Sequence, residues 1–427
     1  MTSFWLEHAA IDGAIRAGVR VEEEGGVITA VVDGPVQPGD TSLLGLTLPG
    51  IANGHSHAFH RALRGRTHAH GGDFWAWREQ MYAAASRLDP DSYYSLARAF
   101  YAELLLAGYT AVGEFHYLHR DPTTVMADAV VTAARDAGIR LTLLDTLYRH
   151  GGRDAAGAAV PPSDEQRPFL STVDEWLARH EKLTLTGTSR RGTALHSLRA
   201  VDPDDVTWVV EATGDEPLHA HVSEQPAENA QIEAAFGRSP VAVLRDAGAL
   251  GPRFTAVHAT HLTDPDITDL AGSFVCICPT TERDLGDGIG PARALRDAGA
   301  RITIGGDQHV VVDPFDELRA LEGHERLATG RRGIFSPAQL LAAATTDGYR
   351  SLGWHGGLAV GAECDLVTIR TDSTRTAGAL LDQLWLAASA TDVTDVVVGG
   401  RQVVSSGVHP LGDVGAALVD AIEEVLP

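Results

Sequence analysis

Lysine is almost missing from this chain: Lys182 is the only one in 427 residues, so arginine carries nearly all of the positive charge. Positive charge is itself scarce. With 34 basic against 57 acidic residues the formal net charge is -23, which argues against the basic surface that a nucleic-acid partner requires. Three cysteines, Cys276, Cys278 and Cys364, are too few for a disulfide framework, and a reducing cytoplasmic location is expected. Cys276 and Cys278 alternate within an apolar run, Phe274 to Pro279, and read as small buried strand residues. There is no apolar run of about 18 residues, so no membrane span is expected. Residues 1–13 carry no basic segment followed by an apolar core, so no signal peptide is expected.

What is present is a set of histidines and carboxylates at the ends of apolar runs. The run Leu48 to His57 ends in two histidines, His55 and His57, one residue apart. Side chains alternate along a strand, so this pair faces one way and Ser56 the other. Neutral imidazoles on rigid backbone suit zinc and its neighbours, although such a pair alone is equally consistent with a solvated turn. Three later runs match it. One carries His219 and His221, with Glu224 three residues beyond; a second ends at His258, with His261 just past it; a third, Arg301 to Asp307, ends in aspartate. Polar groups gathered at the carboxyl ends of parallel strands are the pattern of a β/α barrel.

The wider organisation agrees. With 44% hydrophobic residues a sizeable core is available, and the length suits a barrel of about 250 residues plus a smaller domain. Between residues 49 and 355, strand-like and helix-like segments alternate. Strand ends fall near His57, Glu114 to His116, Asp145, His196, His221, His258, Pro279 and Asp307. Helical patterns cover Asp91 to Ala107 and Pro122 to Ala137, the second stopped by Gly138. Residues 1–48 and 356–427 read instead as short strands, among them Val19 to Val21, Gly26 to Val32, Glu363 to Ile369 and Thr394 to Val404. The expected architecture is α/β: a (β/α)8 TIM-like barrel, residues 49–355, with a small β-sandwich domain built from both chain ends. Two unrelated flanking hairpins are the alternative. The Gly-, Ala- and Pro-rich stretch Gly151 to Arg167 is either a mobile loop over the barrel mouth or an inert linker.

Several motifs together resemble the amidohydrolase superfamily and, more narrowly, the formimidoylglutamate deiminases. They are Asn53-Gly54-His55-Ser56-His57-Ala58-Phe59, Phe74-Trp75-Ala76-Trp77-Arg78, Gly113-Glu114-Phe115-His116-Tyr117, His196-Ser197-Leu198-Arg199-Ala200-Val201, His221-Val222-Ser223-Glu224-Gln225, Pro279-Thr280-Thr281-Glu282, Leu285-Gly286-Asp287-Gly288 and Gly306-Asp307. The resemblance covers nearly the whole chain. It implies that His55, His57, His221 and Asp307 hold one divalent ion, with zinc the expected metal. Two-metal relatives commonly bridge their ions with a carboxylated lysine at the end of the fourth strand. Here that region offers His196, and Lys182 lies well upstream. An open position on such an ion would lower the pKa of bound water from about 15.7 to about 7.

The resemblance also implies roles. Glu224 would shuttle protons, Asp307 would accept the proton of water, and His258 would orient the attacking group. Arg78, Arg199, Tyr117, His196 and His60 would meet the substrate, with arginine suited to planar recognition of a carboxylate. His60 departs from the expected pattern, where a glutamine would stand. The implied reaction converts N-formimino-L-glutamate, a small dicarboxylate, and water to N-formyl-L-glutamate and ammonia, in histidine degradation, by a homodimer. Two alternatives remain open: a purine or other aromatic deaminase of the same superfamily, with an aromatic-lined pocket and no arginine pair, and a metal-binding scaffold without catalysis.

Overall fold

A computed structural model of the chain describes residues 2–67, 74–120, 123–185 and 187–426. Fifteen strands form two sheets among these residues. From the amino-terminal end come β1 (Thr2–Ile11), β2 (Ala14–Glu24), β3 (Val27–Asp33) and β4 (Thr41–Pro49). The barrel strands are β5 (Ile51–Ser56), β6 (Tyr109–His116), β7 (Arg140–Leu147), β8 (Ser189–Leu195), β9 (Leu218–Val222), β10 (Phe254–His258), β11 (Phe274–Ile277) and β12 (Arg301–Ile304). Last come β13 (Leu366–Ile369), β14 (Val393–Val398) and β15 (Arg401–Val404).

Strands β5 to β12 pair in parallel in chain order. The sheet closes where His55 O accepts from Gly306 N (3.1 Å) and Asp307 N (2.9 Å), and where His57 N donates to Asp307 O (3.2 Å). The barrel is therefore sealed by residues at or just past the ends of its first and last strands. Every residue of β6 and β7 is buried, as expected for parallel strands covered on both faces. The helix Pro90–Ala107 starts at a capping box between Asp89 and Ser92, where each side chain satisfies the other's backbone N–H, and ends at Gly108. A second helix spans Val125–Ala137 and stops at Gly138, as its sequence pattern indicated; Pro122, where the expected helix began, lies outside the described residues.

The other seven strands form one mixed sheet in the order β15-β14-β13-β4-β1-β2-β3. Antiparallel pairing of β4 with β13, Leu366 opposite Pro49, joins the two chain ends, so they are not two unrelated hairpins. A separate apolar cluster that includes Phe4, Leu6, Val19, Val21 and Leu366 packs on this sheet. The strand-like segment Thr394 to Val404 forms a hairpin of β14 and β15. Gly399 and Gly400 (φ +56° and +73°) supply the two left-handed residues of its tight turn.

Where β4 runs into β5 the chain passes Gly50. A Cβ there would lie 2.3 Å from Tyr349 Oη and 2.6 Å from Asp365 Cβ, so only glycine fits between the two sheets. Arg140, the first residue of β7, crosses the same junction. Its Nε and Nη2 donate to Asp365 Oδ2 (2.7 Å) and Oδ1 (2.9 Å), Glu363 lies 3.0 Å away, and its guanidinium stacks 4.5 Å over the Trp354 ring. Among the described residues, no helix is long and apolar enough to cross a membrane.

Candidate active site

The ends of β5, β9, β10 and β12 bring His55, His57, His221, His258 and Asp307 to one end of the barrel. Several of these turns are strained: Ser223, His258, Ala259 and Asp307 take φ values of +52°, +69°, +51° and +44°. Each costs on the order of 1–3 kcal/mol for a residue with a Cβ, and such costs gather where side chains are held for function.

Hydrogen bonds to carbonyls set two of the imidazoles. His57 Nδ1 donates to Phe115 O (3.1 Å) and His221 Nδ1 donates to His196 O (2.8 Å), so both Nε2 atoms carry lone pairs. Burial pushes His55, His57 and His221 well below the ordinary imidazole range, which keeps them neutral. His57 Nε2 then faces Asp307 Oδ1 at 3.4 Å with no proton between them. His55 Nε2 lies 3.3 Å from the same oxygen and 3.1 Å from His221 Nε2, and a single proton can serve only one of these contacts. A cation at the centre would satisfy all of them. The donor set of three neutral imidazoles and one carboxylate thus fits a divalent ion such as zinc. Ligand atoms of His55, His57 and Asp307 lie within 4.8 Å of one another, as do those of His55, His221 and His258.

Glu224 follows β9 and is buried, with Oε1 3.9 Å from His258 Nε2 and Oε2 3.4 Å from Arg199 Nη2. His258 Nε2 also lies 3.9 Å from Asp307 Oδ2, and its Nδ1 is 3.4 Å from Glu282 Oε1. Burial pulls the His258 imidazole down, but the carboxylates of Glu224, Glu282 and Asp307 outweigh it and hold the group well above its ordinary value. Glu282 also accepts from Cys278 N (2.8 Å), and both Cys276 and Cys278 are free and buried.

These groups open into a cavity of about 260 Å³. Its wall includes every residue expected to meet a substrate: Arg78, Tyr117, His196, Arg199 and His60. Tyr117 Oη and His60 Nε2 are 2.9 Å apart, and burial pushes His60 down to about 3, so it is neutral. His196 packs on Tyr148 with ring centroids 4.2 Å apart. His116 points elsewhere: it is buried against Tyr93 (6.0 Å) and does not line the cavity. His261 is held in its loop by Asp287 O (2.8 Å), as a structural histidine would be.

Sequence reasoning missed the aromatic wall of Tyr82, Tyr148 and Phe169. Tyr148 immediately follows β7, so its place at a strand end was a usable signal; Phe169 gave none. The stretch Gly151 to Arg167 does sit at the mouth, contributing Gly151, Gly152, Arg153 and Val160. It is pinned there by Arg153, which donates to Leu198 O (3.0 Å) and Gly157 O (3.1 Å) and pairs with Asp202.

Comparison with known proteins adds to this geometry. Formimidoylglutamate deiminase of Pseudomonas aeruginosa is 36% identical, with all of both chains covered. An 8-oxoguanine deaminase of the same organism is 28% identical over 95% of each chain. Among solved structures, an amidohydrolase from Brucella melitensis superposes with a TM-score of 0.92 at 32% identity, covering both chains fully. An adenosine deaminase from Xanthomonas campestris with bound zinc gives 0.85 at 25% identity, covering 99% of this chain and 97% of that one. The profile of the amidohydrolase family matches residues 46–403, from β4 through all but the last residue of β15. With that profile spanning both sheets and a relative aligned from end to end, this chain belongs to the amidohydrolase family.

Proposed function

We propose that the chain is a metal-dependent deiminase that hydrolyses N-formimino-L-glutamate to N-formyl-L-glutamate and ammonia. The observation that carries this reading is the meeting of two arginines, Arg78 and Arg199, with Glu224, His258 and Asp307 around one cavity. The full-length similarity to a formimidoylglutamate deiminase supports it. A single zinc ion held by His55, His57, His221 and Asp307 would supply Lewis acidity and a water of lowered pKa. Asp307 takes a proton from the attacking water as its oxygen bonds to the formimino carbon. His258, held between Glu224, Glu282 and Asp307, orients the attacking oxygen and stabilises the tetrahedral intermediate. Glu224 delivers one proton to the imino nitrogen and the proton taken up by Asp307 follows, so that this nitrogen leaves as ammonia when its C-N bond breaks, while the remaining O-H proton returns to Glu224 as the formyl carbonyl forms. Arg78 and Arg199 hold the substrate's carboxylates, with the Tyr117 hydroxyl, oriented by His60, as a further contact. The reading includes a homodimer in the cytoplasm acting in histidine degradation. It also divides the chain into a barrel domain, 49–355, and a small β domain, 1–48 with 356–427.

The test is a product assay in which zinc-loaded protein meets N-formimino-L-glutamate while ammonia, N-formylglutamate and free glutamate are followed together. Ammonia matched by N-formylglutamate is the expected result. Free glutamate would mean that the other C-N bond breaks, and no turnover would overturn the reading. Arg199→Met should lower kcat/KM by about 10–100-fold, mainly through KM, since a charge-assisted hydrogen bond contributes about 1.5–3 kcal/mol. Steady-state kinetics with an unchanged KM would remove Arg199 from the substrate site. The aromatic wall favours a second reading, deamination of a heterocycle, which predicts turnover of purine-type substrates and indifference to Arg199→Met.

A further inference from the structure

Beneath the candidate metal site lies a buried polar array that the chemistry above does not use. Glu114, in β6, is fully buried and does not line the cavity. Its Oε1 accepts from Ala58 N (2.8 Å) and its Oε2 is 3.0 Å from Ser56 Oγ. Ser56 and Ala58 are the residues on either side of His57. One carboxyl therefore grips the backbone after this histidine and the side chain before it. The next residue of the same strand, Phe115, supplies the carbonyl that sets the His57 ring. Ser56 Oγ continues the array to His309 Nε2 (3.0 Å). His309 lies two residues past Asp307, in a loop held by Arg64 Nε on its carbonyl (2.5 Å) and by its own N–H on Gly306 O (2.8 Å). The array thus links β6, the end of β5 and the loop after β12, the last two of which carry His57 and Asp307.

We propose that Glu114 is a positioning residue for the metal site: through Ser56 and Ala58 it fixes His57, and through Ser56 and His309 it fixes the spacing of His57 from Asp307. Ser56 is fully buried and faces away from the cavity, so the array is not a nucleophile with its base. A carboxyl placed only to satisfy one backbone N–H would not need the serine and imidazole beyond it. Burial pushes the Glu114 carboxyl up to about 8, so an amide is a close substitute for it at neutral pH. This inference rests on the metal assignment above but not on the choice of substrate.

The experiment is a zinc competition titration of the full-length protein against a chelator of known affinity, paired with thermal melts of the metal-free forms. Glu114→Ala and Ser56→Ala should each weaken apparent zinc affinity by about 10–100-fold, the usual effect of losing a group that orients a ligand. Glu114→Gln, which keeps an acceptor for Ala58 N and a partner for Ser56, should stay within about 3-fold of the parent. Lower metal-free stability with unchanged zinc affinity would reduce Glu114 to a structural role and overturn the proposal. So would Glu114→Gln binding as weakly as Glu114→Ala, or a parent protein that does not bind zinc. If Glu114→Ala does not fold, Ser56→Ala decides the outcome. Because the readout is metal affinity, a parent that binds zinc but does not deiminate would refute the substrate reading and leave this test intact.

Discussion

Glu224→Gln is expected to lower kcat by about 10²–10⁴-fold, the usual contribution of a positioned proton donor, while zinc content stays at the parent level. An amine leaves poorly unless it is protonated, and a glutamine side chain cannot deliver the proton. Glu224 is well placed for this task. It is buried at the cavity wall, with one oxygen near His258 and the other near Arg199. Its backbone N–H is held by Glu228 Oε2 at 3.2 Å, so the substitution should leave the turn after β9 in place. The check combines elemental analysis for zinc with the ammonia assay. Full activity would remove Glu224 from proton transfer, and loss of zinc would show that it belongs to the metal site instead.

Asp365→Ala should cost about 3–5 kcal/mol of stability, the range found when one partner of a buried ion pair is removed and the other is left uncompensated. Asp365 is buried at the junction of the two sheets. It accepts both nitrogens of Arg140, the Tyr349 hydroxyl (2.6 Å) and Gly399 N (2.6 Å). Its own carbonyl accepts from Gly50 N at 2.7 Å. Without the carboxylate, Arg140 keeps Glu363 as an ion-pair partner and the Trp354 ring beneath it, but loses both of its hydrogen bonds to Asp365. Arg140 begins β7, at the end of the barrel opposite the candidate site, where polar groups stabilise rather than catalyse. Turnover per folded molecule should therefore be unchanged while the denaturant midpoint falls. A loss below about 1 kcal/mol would place the pair among ion pairs of little net effect.

Much of the site was legible in local periodicity. The spacing of His55 and His57 placed both on one face of a strand, and each later run ended in a residue that the fold carries to the same end of the barrel. The Gly399–Gly400 pair between two valine runs marked a break that the structure realises as a two-residue turn, with both glycines at positive φ. Glu114 stands in the Gly113 to Tyr117 motif, but nothing in its neighbours reveals what its carboxyl grips. Tyr148 and Phe169 reach the cavity through loops, whose paths local pattern does not specify.

The sequence by itself determined the order of strands and helices, the residues at the strand ends, and the imidazole and carboxylate groups available there. These follow from repeats two or a few residues long, which side-chain geometry enforces locally. Only the tertiary structure decided the register in which β5 meets the chain after β12, Ser56 beside Asp307, and that Thr47 lies 2.9 Å from Thr368, 321 residues away. The same holds for the carbonyls that set His57 and His221. Such contacts depend on how a sheet staggers, tilts and closes, a property of all eight strands together that no single stretch of chain contains.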